Sequence, residues 1–108
     1  MILNKTTNTK FDIKITHADS FFKRLIGLIG KKDIDFAVLF ENFKDSSIHT
    51  HFMRSTIDIY FLDENRVVFD KVSLKPWKFY KPKKRAEYIL EAKKDALKIK
   101  IGDELEFY

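Results

Sequence analysis

The sequence predicts a mainly β fold of the α+β kind: a small antiparallel barrel or sandwich of about seven or eight short strands, with one amphipathic helix. Three observations carry this. Short runs rich in β-branched and aromatic residues recur along the chain, separated by polar turn residues. One clear stretch, from Asp19 to Gly30, places its apolar residues at helical spacing. Finally, 108 residues, 44% of them hydrophobic, suffice for one core and not for two. A single domain over residues 1–108 is therefore expected.

Ile2-Leu3 begins a strand before the polar turn Thr6–Thr9. Phe11-Asp12-Ile13-Lys14-Ile15 alternates apolar and polar residues, as a half-buried strand does. From Asp19 the period changes: Phe21, Phe22, Leu25, Ile26, Leu28 and Ile29 fall on one helical face, with Lys23 and Arg24 opposite. Asp19 or Ser20 supplies the N-cap oxygen, and Gly30 the helix end. Gly27 inside such a helix costs about 1 kcal/mol, which implies close packing on another backbone. Phe36–Phe40 is too short an apolar run for a typical helix and reads as a buried strand.

Ile48–Met53 is expected to be extended, and Ile57–Leu62 to be a strand. Asp63–Arg66 turns the chain so that Val67–Phe69 pairs back as a hairpin. Leu74, Trp77, Phe79 and Tyr80 lie in an extended segment that Pro76 and Pro82 exclude from a sheet centre. Ala86–Glu91 fits a strand or a helix equally, and Ala96–Ile99 is read as a short helix. Gly102-Asp103 makes a turn before a closing strand, Leu105–Phe107.

Composition removes whole classes of chemistry. With no cysteine there is no disulfide, thiolate-held zinc, iron–sulfur cluster or thiol nucleophile. No Gly-rich phosphate loop, nucleophile elbow or paired-carboxylate motif occurs. The apolar runs are far short of the ~20 residues that span a bilayer. The N-terminus has no basic start followed by a long apolar run. The expectation is a cytoplasmic location without membrane contact. The net charge of +5 is unevenly spread. Lys71, Lys75, Lys78, Lys81, Lys83, Lys84 and Arg85 fall together with no acid among them, leaving the remainder slightly acidic.

Several of these segments together resemble a known family. Arg24-Leu25-Ile26-Gly27-Leu28-Ile29 is similar to an Arg-x-x-Gly-Leu-Met element. Ile48-His49-Thr50-His51-Phe52-Met53-Arg54, followed by Ile57-Asp58, resembles the signature Ile-His-Thr-x-x-Met-Arg-x-x-Ile-Asp. Arg66-Val67-Val68, Pro76, Tyr88–Glu91 and Gly102-Asp103 fit the elements that follow. This is the pattern of the domain of unknown function 192 family, matched from about Phe11 to Leu105. The resemblance implies a compact, mainly β fold with a helix, and an activity that is not established. Three departures stand out: Ile29 for the usual Met, Ser55-Thr56 for Phe-Pro, and Asp95 where members often carry Gly, so the local backbone at Asp95 is expected to differ.

The candidate ligand-binding set is Arg24, His49, His51, Arg54 and Asp58. In an extended segment, His49, His51 and Met53 share one face, about 7 Å apart along the strand. Paired guanidiniums suit a carboxylate or phosphate, imidazoles donate hydrogen bonds, and Asp58 can orient a ring. The bland alternative has the histidines as hydrogen-bonded anchors and the arginines as ion pairs with Asp58 or another acid, holding helix to sheet. A His-x-His pair supplies two ligands where zinc wants three or four, so no metal and no cofactor are expected. The leading reading is a small-ligand or anion-binding accessory module rather than an enzyme. A hydrolytic or metal-dependent enzyme using His49 and His51 ranks below it. A separate alternative is single-stranded nucleic-acid binding through Lys75, Trp77, Lys78, Tyr80, Lys83, Lys84 and Arg85, cations for phosphates and rings for bases. Its bland counterpart is a solvated edge whose lysines block strand pairing.

Overall fold

A computed structural model describes residues 1–18, 36–41, 47–50 and 55–108, with Ala18 and His49 described by backbone alone. Ten strands lie among them: β1 (Ile2–Asn4), β2 (Thr9–Phe11), β3 (Lys14–Ala18), β4 (Phe36–Glu41), β5 (Ile48–His49), β6 (Ile57–Leu62), β7 (Val68–Leu74), β8 (Phe79–Tyr80), β9 (Tyr88–Lys93) and β10 (Leu105–Phe107). They form a five-stranded sheet in the order β3-β4-β9-β6-β7, a three-stranded sheet β10-β1-β2, and the pair β5-β8.

The large sheet is organised by the alternation of side chains across its pleat. One face carries Val38, Phe40, Ile57, Ile59, Phe61 and Ile89, and Ile48, Leu74 and Ala86 pack onto it. The other face carries Ala37, Leu39, Tyr60, Leu62, Leu90 and Ala92. Ile2 and Leu105 of the small sheet, with Ile13, Leu97 and Ile99, cover that second face. Both faces of β4, β9 and β6 are thus buried, which explains why Phe36–Phe40 is a continuous apolar run and why Ile57–Leu62 is buried throughout, its one acid included.

The structure corrects several expectations. The run Phe11–Ile15 is not one strand. Ile13 N–H donates to the Phe11 carbonyl at 3.0 Å and turns the chain between two sheets. Ala96–Ile99 is not a helix: buried Leu97 and Ile99 alternate with exposed Lys98 and Lys100, a period of two. Ala86–Glu91 resolves in favour of a strand, since β9 lies at the centre of the large sheet between β4 and β6. Pairing is not wholly antiparallel, because β3 and β4 run parallel. No closed barrel forms among the described residues, since β3 and β7 remain the edges of the large sheet. The expected helix, Asp19 to Gly30, lies outside the described residues. Among the described residues no helix is long and apolar enough to cross a membrane.

Both ends of the described chain meet in one polar knot. Buried Asn4 donates Nδ2–H to Asp103 Oδ2 at 2.7 Å, and its own Oδ1 accepts from the Thr6 N–H at 3.1 Å. The same Asp103 oxygen accepts the Lys100 N–H at 2.9 Å. Truncating Asn4 to Ala leaves a buried carboxylate short of a donor, so Asn4→Ala should cost about 1–3 kcal/mol of folding stability. Urea unfolding measures this, and an unchanged midpoint would show that the knot is incidental.

Candidate functional site

The signature strand and the basic-aromatic segment, distant in sequence, form one unit. Strand β5 pairs antiparallel with β8, setting Ile48 opposite Tyr80 and His49 opposite Phe79. Thr50, fully buried, then holds the chain that leads into β8. Its N–H donates to the Lys78 carbonyl at 2.8 Å, and its carbonyl accepts the Trp77 N–H at 2.9 Å. Its hydroxyl donates to the Lys75 carbonyl at 2.5 Å and accepts the Lys78 N–H at 2.9 Å. A threonine suits this place because one hydroxyl both donates and accepts.

The loop so held has the residue pattern of a type II turn, with Pro76 at its first central position and Trp77 at φ 61° in its second. That position favours Gly or Asn, and a bulky side chain there is strained. The strained residue is also displayed, since Trp77 is 59% exposed and Phe79 62%. Lys75, Lys78, Lys81 and Lys83 neighbour the two rings along the chain and are exposed, without an ion pair among the described residues.

The other members of the expected nucleic-acid set are engaged. Tyr80 packs on Phe61, ring centroids 5.7 Å apart, and donates its hydroxyl to Asp70 at 2.6 Å. That hydrogen bond, aided by burial, pushes its phenol up to about 12. Lys84 sits over the Phe69 ring at 4.6 Å, and Arg85 pairs with Glu87 at 3.2 Å. The rings on display are Trp77 and Phe79; Phe79 was not singled out from the sequence.

Of the expected anion-binding set, Arg24, His51 and Arg54 lie outside the described residues, and His49 is described by backbone alone. Asp58 is described, and it is a structural anchor. Its Oδ1 accepts the Ser73 hydroxyl at 2.5 Å, tying β6 to β7. Its Oδ2 accepts the Asp95 N–H at 2.9 Å, fixing the turn after β9. It shares a strand face with Tyr60 and Leu62, whereas Ile48 of β5 packs on the opposite side of the sheet. Asp95 has φ 63°, the left-handed conformation that glycine adopts readily. Here an aspartate holds that conformation. Among the described residues no cluster of three or more His, Asp or Glu could hold a metal.

Sequence reasoning missed one titratable residue. Glu91 sits in β9 between Val38 of β4 and Ile59 of β6. Its side chain is completely buried and neither carboxylate oxygen has a hydrogen-bond partner among the described residues. Desolvation pushes the carboxyl up to about 8, so it stays largely protonated at neutral pH. The signal was an acid inside the apolar run Ile89–Ala92, which passes for a strand end until β9 is seen to continue to Lys93.

The chain belongs to the DUF192 family, described as uncharacterized ACR, COG1430, which matches residues 2–107. A UPF0127 protein of Pyrococcus furiosus is 39% identical over 112 residues, covering 98% of this chain and 97% of the relative. A UPF0127 protein of Pyrococcus horikoshii is 40% identical over 114 residues, covering 100% and 99%. A crystal structure of a protein of unknown function from Novosphingobium aromaticivorans superposes with a TM-score of 0.79 at 16% identity, over 98% of this chain and 83% of that one. At that identity the likeness shows the fold alone.

Glu91 gives a stability profile of defined sign. Below about 4.5 the carboxyl is protonated in both folded and unfolded chains. Between there and about 8 the unfolded chain has released its proton while the folded chain keeps it, so stability falls across this window and levels off above it. Glu91→Gln should flatten that fall relative to wild type. Chemical denaturation across the window is the measurement, and identical slopes for the two proteins would refute the assignment.

Proposed function

We propose that this member of the DUF192 family is a binding module for single-stranded nucleic acid. Trp77 and Phe79 are its stacking rings, and Lys75, Lys78, Lys81 and Lys83 its phosphate contacts. The observation that carries this reading is the exposure of two large aromatic rings in a segment whose exposed lysines have no ion pair among the described residues, one ring on a strained backbone. Folding gains little from an indole that is mostly in water, and a left-handed non-glycine residue costs about 1–2 kcal/mol. Bases offer flat faces to such rings at about 1–3 kcal/mol each. The lysines supply the charge that backbone phosphates require.

The anion-binding reading keeps one support. His49 lies directly opposite Phe79, so the signature strand borders the basic-aromatic surface. In this second reading Arg24, His49, His51 and Arg54 hold a small anion, or a terminal phosphate of the strand. In this reading Asp58 supports the sheet, its two oxygens accepting from Ser73 and Asp95.

Trp77 is the only tryptophan, so its fluorescence reports directly on stacking. An oligothymidine titrated at two salt concentrations should quench it, and affinity should fall with salt at a slope of about 0.7 per phosphate contacted. Trp77→Asn should weaken binding about tenfold or more, read by anisotropy of the labelled oligonucleotide. The same substitution should hold or raise folding stability, since Asn tolerates the left-handed conformation. Wild-type affinity in both Trp77→Asn and Phe79→Ala, or the lack of any salt slope, would overturn the proposal.

A further inference from the structure

On the other side of the large sheet, the turn before β2 and the chain from Asp95 to Asp103 border a cleft of about 700 Å³. We propose that this cleft binds a small organic anion: one phosphate or carboxylate carried on a compact apolar body. Its volume falls within the roughly 300–1,000 Å³ usual for ligand sites. It shares no lining residue with the basic-aromatic surface, and the proposal does not depend on that reading.

The charge in the cleft favours an anion. Lys71, Lys98 and Lys100 line it, contributed by β7 and by the segment after β9. Lys98 and Lys100 are exposed and have no ion pair among the described residues. Lys71 is held in place: its ammonium donates to the Ile99 carbonyl at 3.1 Å and stands 5.3 Å from the Tyr60 ring centroid. An ammonium has three N–H groups, so two remain for a ligand.

Two acids also line the cleft, and they differ in what they leave over. Asp103 is buried, its Oδ2 already accepting from Asn4 and Lys100 N–H. Asp95 is exposed. The lining therefore stays net positive.

The rest of the lining has the mixed character of a small-molecule site. Leu97 and Ile99 are buried yet line the cleft, giving an apolar wall. Above them, Thr7 and Thr9 bring two hydroxyls together, Oγ1 to Oγ1 at 2.9 Å. The ammonium groups recognise the anionic head, and the aliphatic wall takes the body. The two walls are pinned to one another by the Asn4–Asp103 bond, so the cleft is formed before any ligand arrives.

The test is a titration of the isotope-labelled protein followed by amide NMR shifts. The probes are phenyl phosphate and benzoate, with inorganic phosphate and phenol as half-ligand controls. At least one aromatic anion should give saturable shifts at Thr7, Thr9 and Leu97 to Lys100, and the tighter of the two identifies the preferred head group. Each control should bind at least about tenfold more weakly, because a charge-assisted contact or the apolar contact is lost. Lys98→Ala and Lys100→Ala, both at exposed positions, should each weaken binding about fivefold or more. The proposal fails if neither aromatic anion produces saturable shifts there. It fails equally if the lysine variants bind as wild type, or if the shifts gather at Trp77 and Phe79 instead.

Discussion

Strand β9 has neighbours on both edges and apolar layers on both faces, and this double enclosure governs the rest of the structure. A strand in that position has no side exposed to water, so each of its side chains must find apolar company or a polar partner. Ile89 and Leu90 point to opposite faces and each nucleates a cluster. On one side the cluster extends to Ile48, which brings the signature strand against the sheet. On the other it extends to Ile2 and Leu105, which brings in the small sheet. Glu91 is the exception to apolar filling, and it satisfies the constraint by keeping its proton.

Two surfaces of different character follow from the two faces. The layer beside Ile48 ends outward in lysines and aromatic rings, supported by Thr50. The layer beside Leu97 and Ile99 ends in a concave cleft bordered by threonines and lysines. Asp58, on the cleft side of the sheet, takes part in neither as a ligand group. It couples β6, β7 and the turn at Asp95.

Much of the fold was legible because burial leaves a local mark. Phe36–Phe40 and Ile57–Leu62 announce themselves as doubly buried strands, and Asp63 as a turn former: its carboxylate accepts the Asn65 and Val67 N–H groups. The misread segments were those whose pattern is decided at a distance. Ala96–Ile99 has helix-forming residues, yet Leu97 and Ile99 are drawn by the cluster around Ile2 and Leu105 into an extended path. Asp12 hides a break, because an alternating pattern is preserved when the chain passes from one sheet to another. Within the candidate sites, the lysines and Trp77 were visible by composition. The pinning role of Thr50 was not, since all its partners lie more than twenty residues away. The cleft was invisible for the same reason: its walls come from segments near both termini, and isolated lysines look alike in a sequence.

The arrangement at Thr50 has a kinetic implication. Lys75, Trp77 and Lys78 are all fastened to this one residue. Contacts that converge on one residue are lost together when that residue moves. The amide hydrogens of Thr50, Trp77 and Lys78 would then share one protection factor and exchange with solvent as a cooperative group. That would make the aromatic surface a unit with its own opening free energy, separable from unfolding of the sheet beneath it.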